Sequence, residues 1–98
     1  MSLDVRLLLF MANRPERARA ILDAIDRALA TRLHGHYLVE VIDVIADPAR
    51  AAAEQVIMTP TLVIKFPAPE RRLIGDLTDT ERLCLLLDFT EGDPPPSV

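Results

Sequence analysis

Thr59-Pro60-Thr61-Leu62-Val63-Ile64-Lys65-Phe66-Pro67-Ala68-Pro69-Glu70-Arg71-Arg72-Leu73-Ile74-Gly75-Asp76-Leu77 is the stretch whose reading decides the fold of this chain. Two strand-like runs, Thr61–Phe66 and Arg71–Ile74, lie inside it, bracketed by Pro60, Pro67 and Pro69. The link Pro67-Ala68-Pro69-Glu70 is short enough for an antiparallel hairpin, since antiparallel neighbours need no long crossover. Thr59-Pro60 is a candidate cis bond, because an X-Pro bond keeps only roughly 0.5–1 kcal/mol of trans preference. Such bonds also interconvert slowly, so Pro60, Pro67 and Pro69 predict slow rearrangement at the boundaries of the segment. Gly75-Asp76 reads either as a turn followed by a helix cap or as a partner contact.

Upstream, the chain reads as strand, helix and strand. Residues 5–11 are apolar except for Arg6, which suits a strand covered on both faces and therefore central in its sheet. Asn13, with Pro15 in the first turn and Glu16 behind it, predicts a capped helix start. Ala18, Ile21, Leu22, Ile25, Ala28, Leu29 and Leu33 recur at three- and four-residue steps; Arg17, Arg19, Asp23, Asp26 and Arg27 take the other face, and Gly35 offers the stop. Residues 37–44 alternate as a strand, with Asp43 a solvated carboxylate near its end. This order makes a right-handed βαβ unit.

Asp47-Pro48 opens a short second helix over 49–56, and after the hairpin Thr78 and Glu81 form a second capping box. Residues 83–89 satisfy two templates. Leu83, Leu86, Leu87 and Thr90 share one helical face, whereas Leu83, Leu85, Leu87 and Phe89 alternate with Cys84, Leu86 and Asp88 as in a strand. Periodicity leaves that segment open. Residues 1–90 are expected to form a single domain, and 91–98 a disordered proline-rich tail.

A chain of 98 residues, 50% of them hydrophobic, can bury roughly 60–70% of its unfolded surface without staples. Its longest apolar run, residues 7–12, is far too short to span a membrane and there is no leader pattern, so a cytoplasmic address and no membrane partner are expected. A net charge of −4 argues against nucleic-acid binding, which needs a clustered basic face. The single cysteine, Cys84, rules out an internal disulfide, a Cys-x-x-Cys pair and a cysteine-based zinc cage, and it reads as a small core residue. His34 and His36 have no companion ligands nearby, so no metal site and no cofactor are expected.

The order βαβ then αββα is that of an α/β, thioredoxin-like domain, in which a cis proline after threonine commonly precedes the third strand; Thr59-Pro60 stands at that place. A redox member needs cysteines in the loop entering the first helix, where this chain has Met11-Ala12-Asn13-Arg14-Pro15. Thiol-disulfide exchange then lacks its nucleophile, which disfavours an oxidoreductase.

Val41-Ile42-Asp43-Val44, Asp47-Pro48, Thr59-Pro60-Thr61-Leu62 and the run from Arg71 through Leu77 together resemble the KaiB family, small clock proteins of cyanobacteria with relatives in other bacteria, over residues 5–88. Ala68, Leu86, Glu40, Gln55 and the short tail depart from the family pattern. The resemblance implies a non-catalytic regulatory protein that binds the amino-terminal ring of a KaiC-like ATPase, competes there with a SasA-like histidine kinase and helps to capture a KaiA-like protein in a circadian or timer-like system. It also implies a change of fold between a ground-state homo-oligomer, dimer or tetramer, arranged βαββααβ, and a thioredoxin-like monomer arranged βαβαββα. Both arrangements keep the same N-terminal βαβ unit.

On this reading residues 59–89 form a bistable element whose two packings differ by roughly a few kcal/mol. Pro60, Pro67, Pro69, Gly75, Asp76 and Asp88 are then switch or partner positions, and Arg19, Arg71 and Arg72 partner contacts. Arginine suits such a role because its planar fork pairs with carboxylates. Two readings stand beside it: Arg71 and Arg72 as charges guarding a sheet edge, and the whole chain as a KaiB-like sensory domain of a histidine-kinase or stress pathway.

Overall fold

The computed structural model describes residues 5–33, 37–66, 69–79 and 82–83. Along the chain come β1 (Val5–Met11), α1 (Pro15–Leu33), β2 (Tyr37–Asp43), α2 (Pro48–Ala53), β3 (Thr61–Phe66) and β4 (Arg71–Ile74). The strands form one sheet in the order β2-β1-β3-β4. β1 and β2 run parallel, and β3 is antiparallel to both β1 and β4. A helix, α2, separates β2 from the β3–β4 hairpin, so the described chain has the thioredoxin-like order and not the βαββααβ alternative.

β1 is interior because both of its faces are apolar. Val5, Leu7, Leu9 and Met11 pack with Ala18, Ile21, Ala24, Ile25, Ala28 and Leu29 of α1, together with Leu62 and Ile64 of β3. Phe10 faces the other way and is buried with Ile42, Ala51 and Val63. Each Val, Leu, Ile, Met or Phe side chain so buried contributes about 1.5–3 kcal/mol before ordering costs. The α1 face therefore supplies most of the cohesion. Leu73, Leu77 and Leu83 close the same core from the C-terminal side.

Polar ties fix how the layers sit. Tyr37 Oη donates to Asp26 Oδ1 at 2.5 Å, joining the first residue of β2 to α1. Burial first, and then the Asp26 carboxylate, push the Tyr37 phenol up to about 12. Thr61, the buried polar residue at the start of β3, is satisfied by donating from Oγ1 to Met58 O at 2.5 Å.

Three helix boundaries differ from the sequence expectation. α1 begins at Pro15, and Asn13 has φ 49, so it serves as a left-handed turn residue instead of the cap; asparagine tolerates that region better than most residues. α2 stops at Ala53 instead of reaching 56, because Gln55 turns left-handed at φ 56. Gln55 N then donates to Ala52 O and Val56 N to Ala51 O, which is a Schellman closure. Finally, Asp79 and not Thr78 caps the turn that carries Leu83: Asp79 Oδ1 accepts from Arg82 N at 3.2 Å. Gly35, His34, His36, Pro67, Glu81, Cys84 and the rest of 84–98 lie outside the described residues.

Candidate binding site

The sheet register separates residues that adjoin in sequence. Arg71 pairs with Ile64 and Arg72 with Val63, so the two arginines point to opposite faces. Arg71 lies half-buried on the α1 side, where burial pushes its guanidinium below its ordinary value. Arg72 lies on the α2 side and reaches back to the end of that helix: Nη1 donates to Gln55 O at 3.4 Å and Nη2 to Glu54 O. Arg19 is exposed on α1, across the sheet from Arg72. The three arginines therefore do not form one patch.

The remaining predicted positions follow the hairpin. Thr59-Pro60, whose isomer the sequence left open, is a cis peptide bond, and Pro69 is exposed just ahead of β4. Gly75 adopts φ 110, a conformation that side chains rarely tolerate, so glycine is required there by the backbone. Asp76 Oδ1 accepts from Thr78 N at 3.0 Å and from Thr78 Oγ1 at 2.6 Å. Those two bonds hold its carboxyl below the usual aspartate range. Asp76 thus closes a turn with Thr78, and Asp79 does the capping. Pro67 and Asp88 fall outside the described residues.

What the structure assembles on the α2 side was hidden in the sequence. A groove of about 540 Å³ opens over the sheet, floored by Leu8 and Leu38 and walled by Arg6, Glu40, Arg50, Glu54 and Lys65. Arg50 meets Glu40 through a two-armed contact at 2.8 and 3.1 Å; the carboxyl of Glu40 is lowered, and Arg50 raised, chiefly by that pair. Lys65 Nζ bridges Glu70 Oε1 at 2.9 Å and Glu54 Oε1 at 3.1 Å. Hydrogen bonds to both carboxylates, Glu70 foremost, raise the lysine, and Lys65 in turn holds Glu70 low. Arg72 joins the same group through Glu70 at 3.5 Å.

At the far end of the sheet the chain carries apolar side chains in solvent. Ile57 is 91% exposed and Met58 55%, both in the loop that leads to Thr59-Pro60, with Ile45 and Ile74 also exposed at that end. Ile57 and Met58 had a readable signal: an apolar pair in a loop with no periodic partner. The ion pairs had none. Among the described residues no group of three or more His, Cys, Asp and Glu is placed to hold a metal ion, and no helix is long and apolar enough to cross a membrane. The arrangement offers mixed-charge and apolar surface for a protein, with no thiol in the loop before α1.

The KaiB domain matches residues 8–89 of this chain. The circadian clock protein KaiB3 of Synechocystis sp. is 38% identical over 83 residues, covering 85% of this chain and 81% of that protein. The solution structure of the N-terminal domain of Synechococcus elongatus SasA is similar at a TM-score of 0.70 and 28% identity, over 95% of this chain and 91% of that one. A mutant thioredoxin from Halobacterium salinarum is similar at a TM-score of 0.65 and 30% identity, over 93% of this chain and 79% of that one. With its strand order, its Thr59-Pro60 junction and a domain match over most of its length, the chain belongs to the KaiB family.

Proposed function

We propose that this protein is a non-catalytic regulatory module of a circadian or timer-like system, acting in the cytoplasm by binding the amino-terminal ring of a KaiC-like ATPase. The observation that carries this reading is double similarity: to a clock protein along the sequence, and to the N-terminal domain of SasA along the backbone. A chain that shares both can occupy the site a SasA-like kinase would take, so competition is the mode of action, with capture of a KaiA-like protein as a further consequence. The free protein is a homo-oligomer, and residues 59–89 rearrange between its packing and the thioredoxin-like one.

The α2 side and the loop bearing Ile57 and Met58 are the surface we assign to the ATPase. Exposed apolar side chains ringed by charge are the usual make-up of a transient protein interface. Native mass spectrometry of the protein mixed with the host's KaiC-like ATPase and ATP, followed over several hours, should show a complex that grows slowly. Absence of a complex at every time and nucleotide state would sink the proposal. The SasA likeness also favours a second reading, a sensory domain that binds the same ring without changing fold. An amide spectrum that is identical before and after binding would select it.

A further inference from the structure

The loop bearing Ile57 and Met58 has no strand or helix of its own to hold it, yet it starts from a well-defined place. α2 ends in the Schellman closure of Glu54, Gln55 and Val56, in which Gln55 takes a left-handed conformation at φ 56 without being glycine. A left-handed non-glycine residue is strained by roughly 1–2 kcal/mol and persists only when its surroundings hold it. The carbonyl oxygens of that turn point at one side chain. Arg72 Nη1 donates to Gln55 O at 3.4 Å and Nη2 to Glu54 O, from a strand that is separated from α2 in sequence by the whole of β3. A cation at a helix C-terminus also suits the negative end of the helix dipole, adding to the hydrogen bonds. Lys65 and Glu70 brace the same corner, since Lys65 touches both Glu54 and Glu70, and Glu70 also faces Arg72.

We propose that Arg72 is a positioning residue: its guanidinium clamps the last turn of α2 to β4 and so fixes the direction in which Ile57 and Met58 project. Its consequence for binding rests on the reading of this chain as an ATPase-binding module; the clamp itself does not. On this account Arg72 spends its donors inside the molecule and acts on a partner through the α2–β3 loop.

Amide hydrogen exchange by NMR on the full chain, without any partner, tests the clamp. In Arg72→Ala the amides of Glu54, Gln55 and Val56 should exchange about tenfold faster, as loss of one or two charge-assisted bonds requires, while those of Leu9 and Ile25 stay as they were. Arg72→Lys should exchange as fast as the alanine variant, because an ammonium is a point charge without the fork that reaches two carbonyls. Glu70→Gln should leave the three amides protected. Unchanged exchange in Arg72→Ala, full protection in Arg72→Lys, or equal acceleration throughout the chain would each overturn the proposal. Should Arg72→Ala not fold, the lysine variant alone decides. Binding to the KaiC-like ATPase should then weaken in Arg72→Ala together with faster exchange, and in Ile57→Ser, at the exposed tip of the loop, without it. A chain that binds no such ATPase refutes the partner reading and leaves the exchange result standing.

Discussion

Alternate residues of β1 look onto two faces built in different ways. Toward α1 the packing is continuous, from Val5 at one end of the strand to Met11 at the other. Toward α2 only Phe10, Ile42, Ala51 and Val63 are buried, and beyond them the face opens into the groove floored by Leu8 and Leu38. Helix length explains the contrast. α1 has 19 residues and α2 has 6, which at 1.5 Å per residue makes them about 28 and 9 Å long. A strand of 7 residues such as β1 spans about 23 Å. One helix covers the strand from end to end and the other covers less than half of it. Charges in ion pairs fill part of what α2 leaves bare, and pairs this exposed are weak and screened by salt. The lesson is a division of labour: cohesion on the α1 face, adjustable surface on the α2 face.

Substitutions can break or sharpen that contrast. Leu9→Ala, in the α1-side core, should cost about 2–5 kcal/mol in urea denaturation, since a fully buried leucine leaves a cavity when truncated. A loss below 1 kcal/mol on this scale would mean that the α1 face is not the cohesive one. Tyr37→Phe should cost about 1 kcal/mol through loss of the bond to Asp26. Tyr37 is the only tyrosine, so its ionisation can be followed by ultraviolet absorbance, with a midpoint at about 12. The sign follows from linkage: the folded phenol keeps its proton above the ordinary tyrosine value of 10.0, so this contribution is complete below that pH and is lost as pH rises toward 12. The phenylalanine variant should lack that alkaline loss.

Smaller effects belong to the α2 side. Gln55→Gly should raise stability by about 0.5–1 kcal/mol, because glycine relieves the left-handed strain at the end of α2 at some cost in unfolded-state entropy. Lys65→Met should lower the thermal midpoint slightly at low ionic strength and not at all in 1 M salt, where charges are screened beyond about 3 Å. A salt-independent loss would show that the lysine stem, not its charge, matters. Leu38→Ser, in the open groove, should leave stability within about 0.5 kcal/mol of the parent. A large loss there would mean that the groove is covered in the free protein.

Much of this was legible in the chain. The bounds of β1, β3 and β4 and the buried stripe of α1 follow from local pattern. Apolar periodicity, proline placement and the cost of φ act within a few residues of one another. The misses also have local causes: Asn13 and Gln55 took left-handed turns that a capping or helix-propensity argument does not foresee. Arg71 and Arg72 adjoin in sequence, yet the pleat sends them to opposite faces, Arg71 opposite Ile64 and Arg72 opposite Val63. In a strand neighbours face opposite ways, so a pair in sequence is a pair in space only on a flat loop.

By itself, then, the sequence determined the N-terminal βαβ unit, the two hairpin strands, the apolar stripe of α1 and the family, because those depend on spacing along the chain, while it left two arrangements of the second half open. Tertiary structure alone decided which charges meet. Arg72 with Gln55, Lys65 with Glu54 and Arg50 with Glu40 are joined across 17, 11 and 10 positions. No short-range preference ranks such contacts; they exist because the packed sheet brings the end of α2, β3 and β4 to one corner and sets α2 against β2 as well.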